Sequence, residues 1–299
     1  MRVHFVVPYY LEPRYLFELI ESVRSQTRGD WWLTIVDDQY PGTAAEDYIK
    51  TLDDPRIFYV RNEKNLGATG NGRKVMGMGE LEITHSLGAD DALEPNFVEV
   101  VLAAFEAHPD AIMVHPRVIV MDGDSNPTDT LADKVKRLAS RSAWKRGELD
   151  GETALRSLMR GNWLYAPAIA IRTEALSRAH LDRDHASISD LAWVVDMLLD
   201  GGTLVLDPTA AVRYRRHGAS HSAINAKSTR RFDEEQRYFA YMSKVLQQRG
   251  MKKAARMARL HPLCRMHAVQ AALGALARGK VKLSLAMAWR GVRPVGNLA

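Results

Sequence analysis

Short apolar runs alternate with helical patterns over the first 120 residues of the chain. The runs are rich in β-branched and aromatic residues and predict strands at 3–7, 33–36, 57–60, 81–87 and 112–115, the first of them buried. Helices are expected at 14–26, 43–52, 72–79 and 95–107, the second with Thr43 as cap and Glu46 as its capping-box partner. Strand–helix alternation with short connections predicts an α/β fold, a mostly parallel sheet with helices on both faces.

The pattern is less regular after residue 120. Residues 121–150 are polar and charged and are expected to be a surface excursion. A helix at 152–160, a strand at 168–172, a helix at 189–200 and strands at 203–206 and 211–214 belong to the body. Helical periodicity returns at 229–249 and 251–291, so we expect a domain of residues 1–225 followed by a C-terminal helical extension of residues 226–299.

Charge is divided unevenly along the chain. Residues 1–212 carry 22 Lys/Arg and 33 Asp/Glu, whereas residues 213–299 carry 19 Lys/Arg and 3 Asp/Glu, with no acidic residue after Glu235. A basic amphipathic extension fits an anionic membrane surface, and it fits equally well a simple packing of these helices on the acidic body. It lacks the glycine and aromatic pattern of a nucleic-acid stacking platform, so no nucleic acid is expected as partner.

Cysteine content and hydropathy restrict the compartment. The single Cys264 excludes an intramolecular disulfide and a multi-cysteine zinc site, which suits a reducing cytosol. No apolar run has the length of a signal peptide core or of a membrane-spanning helix.

Polar clusters follow four of the predicted strands. They are Pro8 to Tyr10, Asp37-Asp38, the segment 65–74 and Asp90-Asp91. Because ligands of open α/β sheets bind beyond the carboxyl ends of the strands, one crevice could receive all four clusters.

Each cluster has a functional and a purely structural interpretation. Asp90-Asp91 suits a hard divalent cation such as Mg or Mn, but a cap ahead of helix 95–107 explains the pair equally well. Asp37-Asp38 suits a nucleotide base or ribose, or a solvated turn. The segment N-L-G-A-T-G-N-G-R-K (65–74) suits an anionic phosphate at a helix start, or a flexible loop.

Two later residues are chemical candidates of the same kind. Asp190 at the start of an apolar helix suits a general base, or merely complements the helix dipole. His217 in Y-R-R-H-G suits a metal or phosphate ligand, although a lone histidine is more often a solvated side chain.

The order of these segments carries more information than any one of them. V-V-P-Y-Y, E-S-V-R-S-Q-T, T-I-V-D-D-Q-Y-P-G-T, D-P-R-I, R-N-E-K-N-L-G and L-G-A-D-D follow one another, and then come I-S-D-L-A-W-V-V-D-M-L-L-D-G-G and D-P-T-A-A-V-R-Y-R-R-H-G-A-S-H-S. Over about residues 3–225 this succession resembles the family 2 glycosyltransferases, which have the GT-A nucleotide-diphospho-sugar fold.

The resemblance implies a role for each matching residue. The donor nucleotide would be bound by Pro8, Tyr10, Asp37, Asp38, Asn65, Gly67, Asn71, Arg73, Lys74 and Asp90. A divalent cation, Mn or Mg, would be held on the donor diphosphate by Asp90, Asp91 and His217. Asp190 would deprotonate the acceptor hydroxyl for in-line attack with inversion at the anomeric carbon.

The segment G-N-W-L-Y-A-P belongs to the same resemblance. It favours Asn162 and Trp163 as lining of the acceptor or sugar pocket, while Trp163 fits the hydrophobic core equally well.

The chain departs from the family pattern at three places. Gly88 stands where the first aspartate of the D-x-D-D element is usual, so metal binding would depend on Asp90 and Asp91. Ser189 replaces the usual glutamate before Asp190. The sequence G-N-G-R-K shifts the expected arginine, so Arg73 and Lys74 are not distinguished.

The resemblance implies a metal-dependent, inverting glycosyltransferase. The expected donor is a UDP- or dTDP-sugar, and the expected acceptor is a hydroxyl of a glycan or lipid-linked saccharide at the inner face of the cytoplasmic membrane, as in polysaccharide or cell-envelope biosynthesis. One alternative is a nucleotidyltransferase, which would need a basic phosphate loop where P-Y-Y-L-E-P follows the first strand. Another is a degenerate nucleotide-binding or membrane-surface module, with Gly88 and Ser189 as early losses.

Overall fold

One mixed sheet organises the protein in the computed structural model, which describes residues 1–182, 187–218 and 229–292. Its strands are β1 (Val3–Tyr9), β2 (Trp31–Asp37), β3 (Ile57–Arg61), β4 (Ile83–Ser86), β5 (Ala92–Leu93), β6 (Ala111–Met121), β7 (Glu148–Asp150), β8 (Ala170–Arg172) and β9 (Thr203–Arg215). Helices of the body are α1 (Pro13–Arg24), α2 (Ala44–Thr51), α3 (Gly67–Met76), α4 (Phe97–Ala107), α5 (Leu131–Arg146), α6 (Gly151–Leu158) and α7 (Ser189–Leu199). The C-terminal helices are α8 (Thr229–Gln248), α9 (Lys252–Leu260), α10 (Pro262–Ala277) and α11 (Val281–Val292), and two short 3-10 helices cover Ala166–Ala168 and Thr173–Arg178.

The longest ladders of the sheet are parallel. Strands run in the order β3-β2-β1-β4-β8-β6-β9-β5, and β7 pairs with β9. The pairs β1/β2, β2/β3, β1/β4 and β6/β9 are parallel, whereas β8, β5 and β7 pair antiparallel with their neighbours. The predicted α/β fold with a mostly parallel sheet is therefore confirmed, and the carboxyl ends of β1 to β4 meet at one edge.

Local pattern explains the N-terminal half of this sheet. Strand β1 is buried at Val3, Phe5 and Val7, and α1 presents one apolar stripe that includes Leu16 and Leu19 to the same core. Pro13 begins α1, where its missing N–H costs nothing. Strand and helix therefore bury the faces that their periodicities predict.

Two predicted local features differ in the structure. Helix α2 does begin after Thr43, but the Thr43 hydroxyl donates to the Asp47 carboxylate at 2.7 Å and caps no backbone N–H. The capping box with Glu46 is therefore wrong. The strands expected at 203–206 and 211–214 are one strand, β9, which bulges where it passes Pro116 and Arg117 of β6.

The expected surface segment 121–150 is largely exposed, but it contains secondary structure that was not predicted. It contains the 16-residue helix α5 and strand β7. Thr130 and Asp133 form a reciprocal capping box at the start of α5, so the spacing T-x-x-D was the local signal for this helix. Few side chains of this helix are buried, among them Asp133 and Ala143. The segment therefore lacks the apolar periodicity from which a helix would be predicted.

The basic C-terminal region contains four helices. The periodic segment 251–291 forms three helices. Pro262 begins α10, and Gly279, with a positive φ of 70°, lies in the turn between α10 and α11. Side chains of α8 and α9, among them Phe239, Leu246 and Ala258, share one core with α6 and α7. The expected domain boundary between residues 225 and 226 lies outside the described residues.

No helix within the described residues is both long and apolar enough to cross a membrane.

Candidate active site

Asp38 joins the end of β2 to the loop before α3. Its side chain is buried, and its Oδ1 accepts hydrogen bonds from the Asn62 side-chain amide and from the Leu66 backbone N–H, both at 2.7 Å. The Asn65 amide donates to the Asp38 carbonyl at 2.9 Å. Both recorded bonds to the carboxylate end on Oδ1, so Oδ2 accepts none from the described part of the chain.

Asn62 extends this network to the helix that follows. Its amide also donates to Asn71 Oδ1 at 3.0 Å, and its own Oδ1 accepts from Lys74 Nζ at 2.7 Å. Asn71 is buried and donates to the Val36 carbonyl at 2.9 Å. Helix α3 starts at Gly67 with a φ of +72°, a conformation that favours glycine. The structure thus brings Asp38, Asn65, Gly67, Asn71 and Lys74 together.

Asp37 has a different environment from Asp38. Its carboxylate accepts hydrogen bonds from the Tyr40 backbone N–H at 2.7 Å, from Arg61 at 2.9 Å and from the Tyr59 hydroxyl. Burial, and then the bond to Asp37, raise the pKa of Tyr59 to about 12, so this hydroxyl stays a donor. With both oxygens occupied, Asp37 ties β2 to β3.

Pro8, Tyr10 and Arg73 lie around this network. Pro8 pairs with Val36 in the parallel ladder, and Tyr10, just beyond β1, is exposed with its ring against Tyr40. Arg73 lies in α3, and its Nε is buried without a hydrogen-bond partner among the described residues.

Strand β5 brings the acidic pair next to the end of β9. Asp90 Oδ2 lies 2.8 Å from His217 Nε2, and Asp91 Oδ1 accepts the Arg215 backbone N–H at 2.8 Å. Asp91 is fully buried, whereas 22% of the Asp90 side chain is exposed. Burial, and then the neighbouring Asp90 charge, raise the pKa of Asp91. Asp90 is therefore the carboxylate that faces solvent.

Arg215, to which the sequence pattern assigned no role, holds this corner together. Its buried guanidinium donates to the Asp90 carbonyl at 2.6 Å, to Ser125 Oγ at 2.7 Å and to Glu18 Oε2 at 2.6 Å. Five fixed donors suit three acceptors on separate segments better than one ammonium would. The motif Y-R-R-H-G contained the residue, but its partners lie 90 or more positions away.

Gly88 has a steric role in the same corner. A Cβ at this position would lie 2.5 Å from Asp91 Oδ2 and 3.0 Å from Asp90 Oδ1. The two carboxylates fold over the glycine, so an aspartate at position 88 would require them to move.

The donor set fits a cation only in part. Within residues 1–182, 187–218 and 229–292, no three His, Cys, Asp or Glu side chains form a group that could hold a metal ion. Asp90 and His217 lie together, whereas one Asp91 oxygen is occupied by the Arg215 amide. Because Mg²⁺ is often bound by one or two carboxylates plus substrate phosphates, Asp90 with His217 suits a cation completed by a ligand's phosphates.

A second charged cluster, on α5, adjoins the first. Arg216 donates to Asp133 at 2.8 Å, and the Tyr165 hydroxyl donates to the same carboxylate at 2.7 Å. Burial acts to raise the pKa of Asp133, but hydrogen bonds from Arg216, Thr130 and Tyr165 outweigh it and hold the pKa at about 2. Asp133 is therefore ionised in the folded protein near neutral pH.

Asp190 lies in the field of this cluster. Lys136 on α5 donates to the Leu164 carbonyl at 2.6 Å and sits over the Tyr165 ring. Burial, and then the Arg216 charge, lower the pKa of Lys136 to about 8, while the Asp190 charge acts in the opposite direction. Asp190, in the first turn of α7, is therefore close enough to interact with Lys136. Lys136 also interacts with Arg216, the residue before His217.

The neighbouring residues Asn162 and Trp163 have different environments in the structure. Trp163 is 2% exposed, belongs to the core around α6 and α7, and donates from Nε1 to Ser157 Oγ at 3.1 Å. Its burial favours the core over a pocket wall. Asn162 is partly exposed, and its Oδ1 accepts the Leu164 N–H at 3.1 Å.

A cavity of about 660 Å³ lies away from all of these residues. Its lining includes Ala111 and Thr203, the first residues of β6 and β9, so it opens at the amino ends of those strands. The polar clusters lie at carboxyl ends, where ligands of such sheets bind.

Solved structures share this fold. Residues 1–349 of S. aureus TarS superpose with a TM-score of 0.58 and 12% identity over 96% of this chain and 90% of that chain. The same region of TarS in complex with UDP-GlcNAc gives a TM-score of 0.57, and its UDP complex gives 0.53. The shared architecture is that of a GT-A-like glycosyltransferase.

Sequence comparison identifies the family. The Glycosyl transferase family 2 model matches residues 4–170, more than half of the chain, and the protein belongs to that family. An uncharacterized glycosyltransferase of Methanocaldococcus jannaschii is 32% identical over 127 residues, which are 42% of this chain and 44% of that protein. WcaA of Escherichia coli, named as a colanic acid biosynthesis glycosyl transferase, is 31% identical over 97 residues, 32% of this chain and 33% of that protein. The matches thus span less than half of these relatives.

Proposed function

We propose that this protein transfers a sugar from a nucleotide-diphospho-sugar to a hydroxyl group of a glycan or lipid-linked saccharide. The observation that carries the proposal is that two hydrogen-bonded polar pairs, Asp38 with Asn62 and Asp90 with His217, lie at the carboxyl edge of the sheet. The chain that holds them belongs to the family 2 glycosyltransferases. Both sites lie where open α/β sheets bind nucleotides.

The nucleoside would bind at the Asp38 site. Asp38 Oδ1 is held by two hydrogen bonds, which leaves Oδ2 to accept from a base N–H or a ribose hydroxyl. Tyr10 and Pro8 would flank the nucleoside, and Asn65, Gly67, Asn71, Arg73 and Lys74 would line the way to the diphosphate. Complexes of TarS with UDP and UDP-GlcNAc support a uridine nucleotide as the first donor to test, with dTDP-sugars next.

The diphosphate would lie beside Asp90. We assign a Mn or Mg ion to Asp90 and His217, with Asp91 behind them and phosphate oxygens as the remaining ligands. When bound, such an ion stabilises the charge that develops on the nucleoside-diphosphate leaving group. Arg215 positions this site, because it fixes the Asp90 backbone from a buried guanidinium.

Asp190 would take the proton from the attacking acceptor hydroxyl. Its place in the first turn of α7, close to the cations of Lys136 and Arg231, makes it the candidate proton acceptor. Attack on the face opposite the leaving nucleotide would invert the anomeric carbon. Asn162 would contact the sugar or the acceptor.

The biological setting follows from the acceptor class. A family 2 transferase that acts on lipid-linked saccharides would work at the inner face of the cytoplasmic membrane, in polysaccharide or cell-envelope synthesis. The E. coli relative named for colanic acid biosynthesis supports this assignment.

A nucleotide panel tests the donor proposal. Unfolding midpoints would be measured with UDP, dTDP, GDP, ADP and CMP, each with and without Mn or Mg. A ligand that binds the folded state raises the midpoint by mass action, so we expect a metal-dependent rise with UDP or dTDP. Absence of any rise at saturating metal would contradict the donor proposal, and a metal-independent rise would contradict the Asp90 assignment.

Turnover of matched variants tests the base. Asp190→Asn should lower transfer from the donor so identified by about 10²- to 10⁴-fold, the usual contribution of a general base, with unchanged nucleotide affinity. Asp200→Asn, at the other end of α7 and paired with exposed Arg249, is the control and should leave both unchanged. Equal turnover of Asp190→Asn and wild type would refute the base assignment. Nucleotide binding without transfer to any acceptor would favour the degenerate binding module.

A further inference from the structure

Helices α10 and α11 form a hairpin with an unusual distribution of side chains. The residues buried between the two helices are mostly small, among them Ala272 and Ala275 of α10 and Ser284 and Gly291 of α11. A Cβ at Gly291 would lie 2.8 Å from Val269 Cγ2, so the helices approach closely there. Small residues at a close helix contact are typical of packing in an apolar medium.

Large apolar residues occupy the outer faces instead. On α10 they recur at spacings of three and four and on α11 at three and four, which places each set on one face. Leu273, Leu285 and Trp289 are more than 60% exposed. The full set is Met266, Val269, Leu273, Leu276, Val281, Leu285, Trp289 and Val292. Val269, which is 41% exposed, lies at the edge between this face and the contact with Gly291.

Unpaired cations lie at the tip of the same hairpin. Arg278, Lys280 and Lys282 are exposed and stand between Leu276 and Leu285 in the sequence. None of the three forms an ion pair with any described residue, and no acidic residue follows Glu235. Helix α9 adds four more exposed cations, Lys252, Lys253, Arg256 and Arg259.

We propose that the hairpin tip and its outer apolar faces bind the interface of an anionic lipid membrane. Apolar side chains would enter the headgroup boundary while Arg278, Lys280 and Lys282 contact lipid phosphates, the arrangement of an interfacial amphipathic segment. The proposal places the hairpin in the interface itself. No helix among the described residues is long and apolar enough to cross a membrane. A second copy of this chain fits less well, because its tip would bring three like charges to the same face.

Packing on the acidic body does not account for these residues. The ion pairs of the extension use other cations: Arg249 pairs with Asp200 of the body, and Arg290 pairs with Asp233 of α8. Helices α8 and α9 share the body's core, whereas the outer faces of α10 and α11 remain exposed. The hairpin is therefore the part of the extension whose apolar faces are available for contact with a membrane surface.

Vesicle sedimentation tests the proposal with the full chain and without donor or acceptor, so the result is independent of glycosyl transfer. Vesicles of phosphatidylcholine mixed with phosphatidylglycerol should bind the protein, pure phosphatidylcholine should bind it weakly, and salt should weaken binding. The triple variant R278Q/K280Q/K282Q should lower the partition coefficient about 100-fold, since each cation near the surface contributes about one kcal/mol.

Matched variants separate the hairpin from net charge. Replacing exposed Arg2, Arg24 and Lys50 by Gln removes the same charge from the N-terminal half and should leave vesicle binding within about 3-fold. Leu273→Glu with Leu285→Glu should abolish binding without changing the unfolding midpoint in solution, because both side chains are exposed. Trp289 emission should shift to the blue on vesicle addition, and Trp289→Phe should remove that shift.

Three results would overturn the proposal. Absence of binding to anionic vesicles is the first, and equal loss of binding in the two charge-matched triple variants is the second. The third is a dimer in light scattering that Leu273→Glu with Leu285→Glu dissociates, because that result would assign the face to a second copy of the chain.

Discussion

Replacing Asp133 by Asn should destabilise the protein in a pH-dependent manner. Asp133 is completely buried, and its carboxylate accepts hydrogen bonds from Arg216, Thr130 and Tyr165. The substitution keeps the shape of the side chain and removes its charge. Arg216, which is 27% exposed, then loses its anionic partner.

The magnitude follows from the lowered pKa. A decrease from the usual 3.8 to about 2 means that ionised Asp133 contributes about 2 kcal/mol to the free energy of unfolding near pH 7. Because the folded-state pKa is the lower one, this contribution is present above pH 3.8 and is lost as the pH falls through 2. Roughly half of it, about 1 kcal/mol, remains at pH 3.

Urea unfolding of wild type and variant at several pH values measures this contribution. At pH 7 the variant should be less stable by about 3 kcal/mol, which includes the cost of leaving Arg216 unpaired. Between pH 7 and pH 3 the difference between the two proteins should shrink by about 1 kcal/mol. Other carboxylates titrate in the same range, but they are common to both proteins and cancel in the difference.

Asp129→Asn is the matched control. Asp129 makes a bidentate pair with Arg137 close to the same helix start, but the pair is exposed and should contribute little. The reasoning would be refuted if the wild type and Asp133→Asn differed by the same amount at pH 7 and pH 3. It would also fail if Asp129→Asn were as destabilising as Asp133→Asn.

Three further substitutions, the last with a matched control, have expected outcomes. Asp38→Asn should weaken donor-nucleotide binding by about 10- to 100-fold in calorimetry, because a bond to a charged acceptor contributes about 1.5–3 kcal/mol; an unchanged affinity would contradict the nucleoside assignment. Gly88→Ala should reduce metal-dependent nucleotide binding, since its Cβ would lie 2.5 Å from Asp91 Oδ2, and equal binding with Mn would show that the carboxylates can shift freely. Gly202→Ala should destabilise the fold by about 2–3 kcal/mol in urea unfolding, because Gly202 has a positive φ and a Cβ there would clash with Ile112. The control is Gly72→Ala, at a helical position with open space around it, which should be neutral or stabilising.

Local sequence pattern was sufficient for the N-terminal half of the fold. Strands β1 and β2 and helices α1 and α4 follow from apolar periodicity, because each of them buries the face that its own spacing creates. Strand β3 follows from the same pattern, although its residues are only partly buried. Parallel strands place their carboxyl ends at one edge, so the grouping of Asp38, Asn65 and Lys74 was also accessible from the sequence. Polar amphipathic segments were harder, and helix α5 was missed although Thr130 and Asp133 carry its cap.

Residue types and their spacing were enough to predict the α/β class, the basic character of the extension and the chemical types of the candidate residues. Which of these residues meet depends on long-range packing. Asp90 reaches His217 across 127 positions because β5 pairs with β9, and Arg215 joins segments from α1 to β9. Packing likewise buries Asp91 while Asp90 faces solvent, and it leaves the side chains of Leu273 and Leu285 exposed. These outcomes depend on packing between distant segments, and a local pattern contains no information about its distant partner.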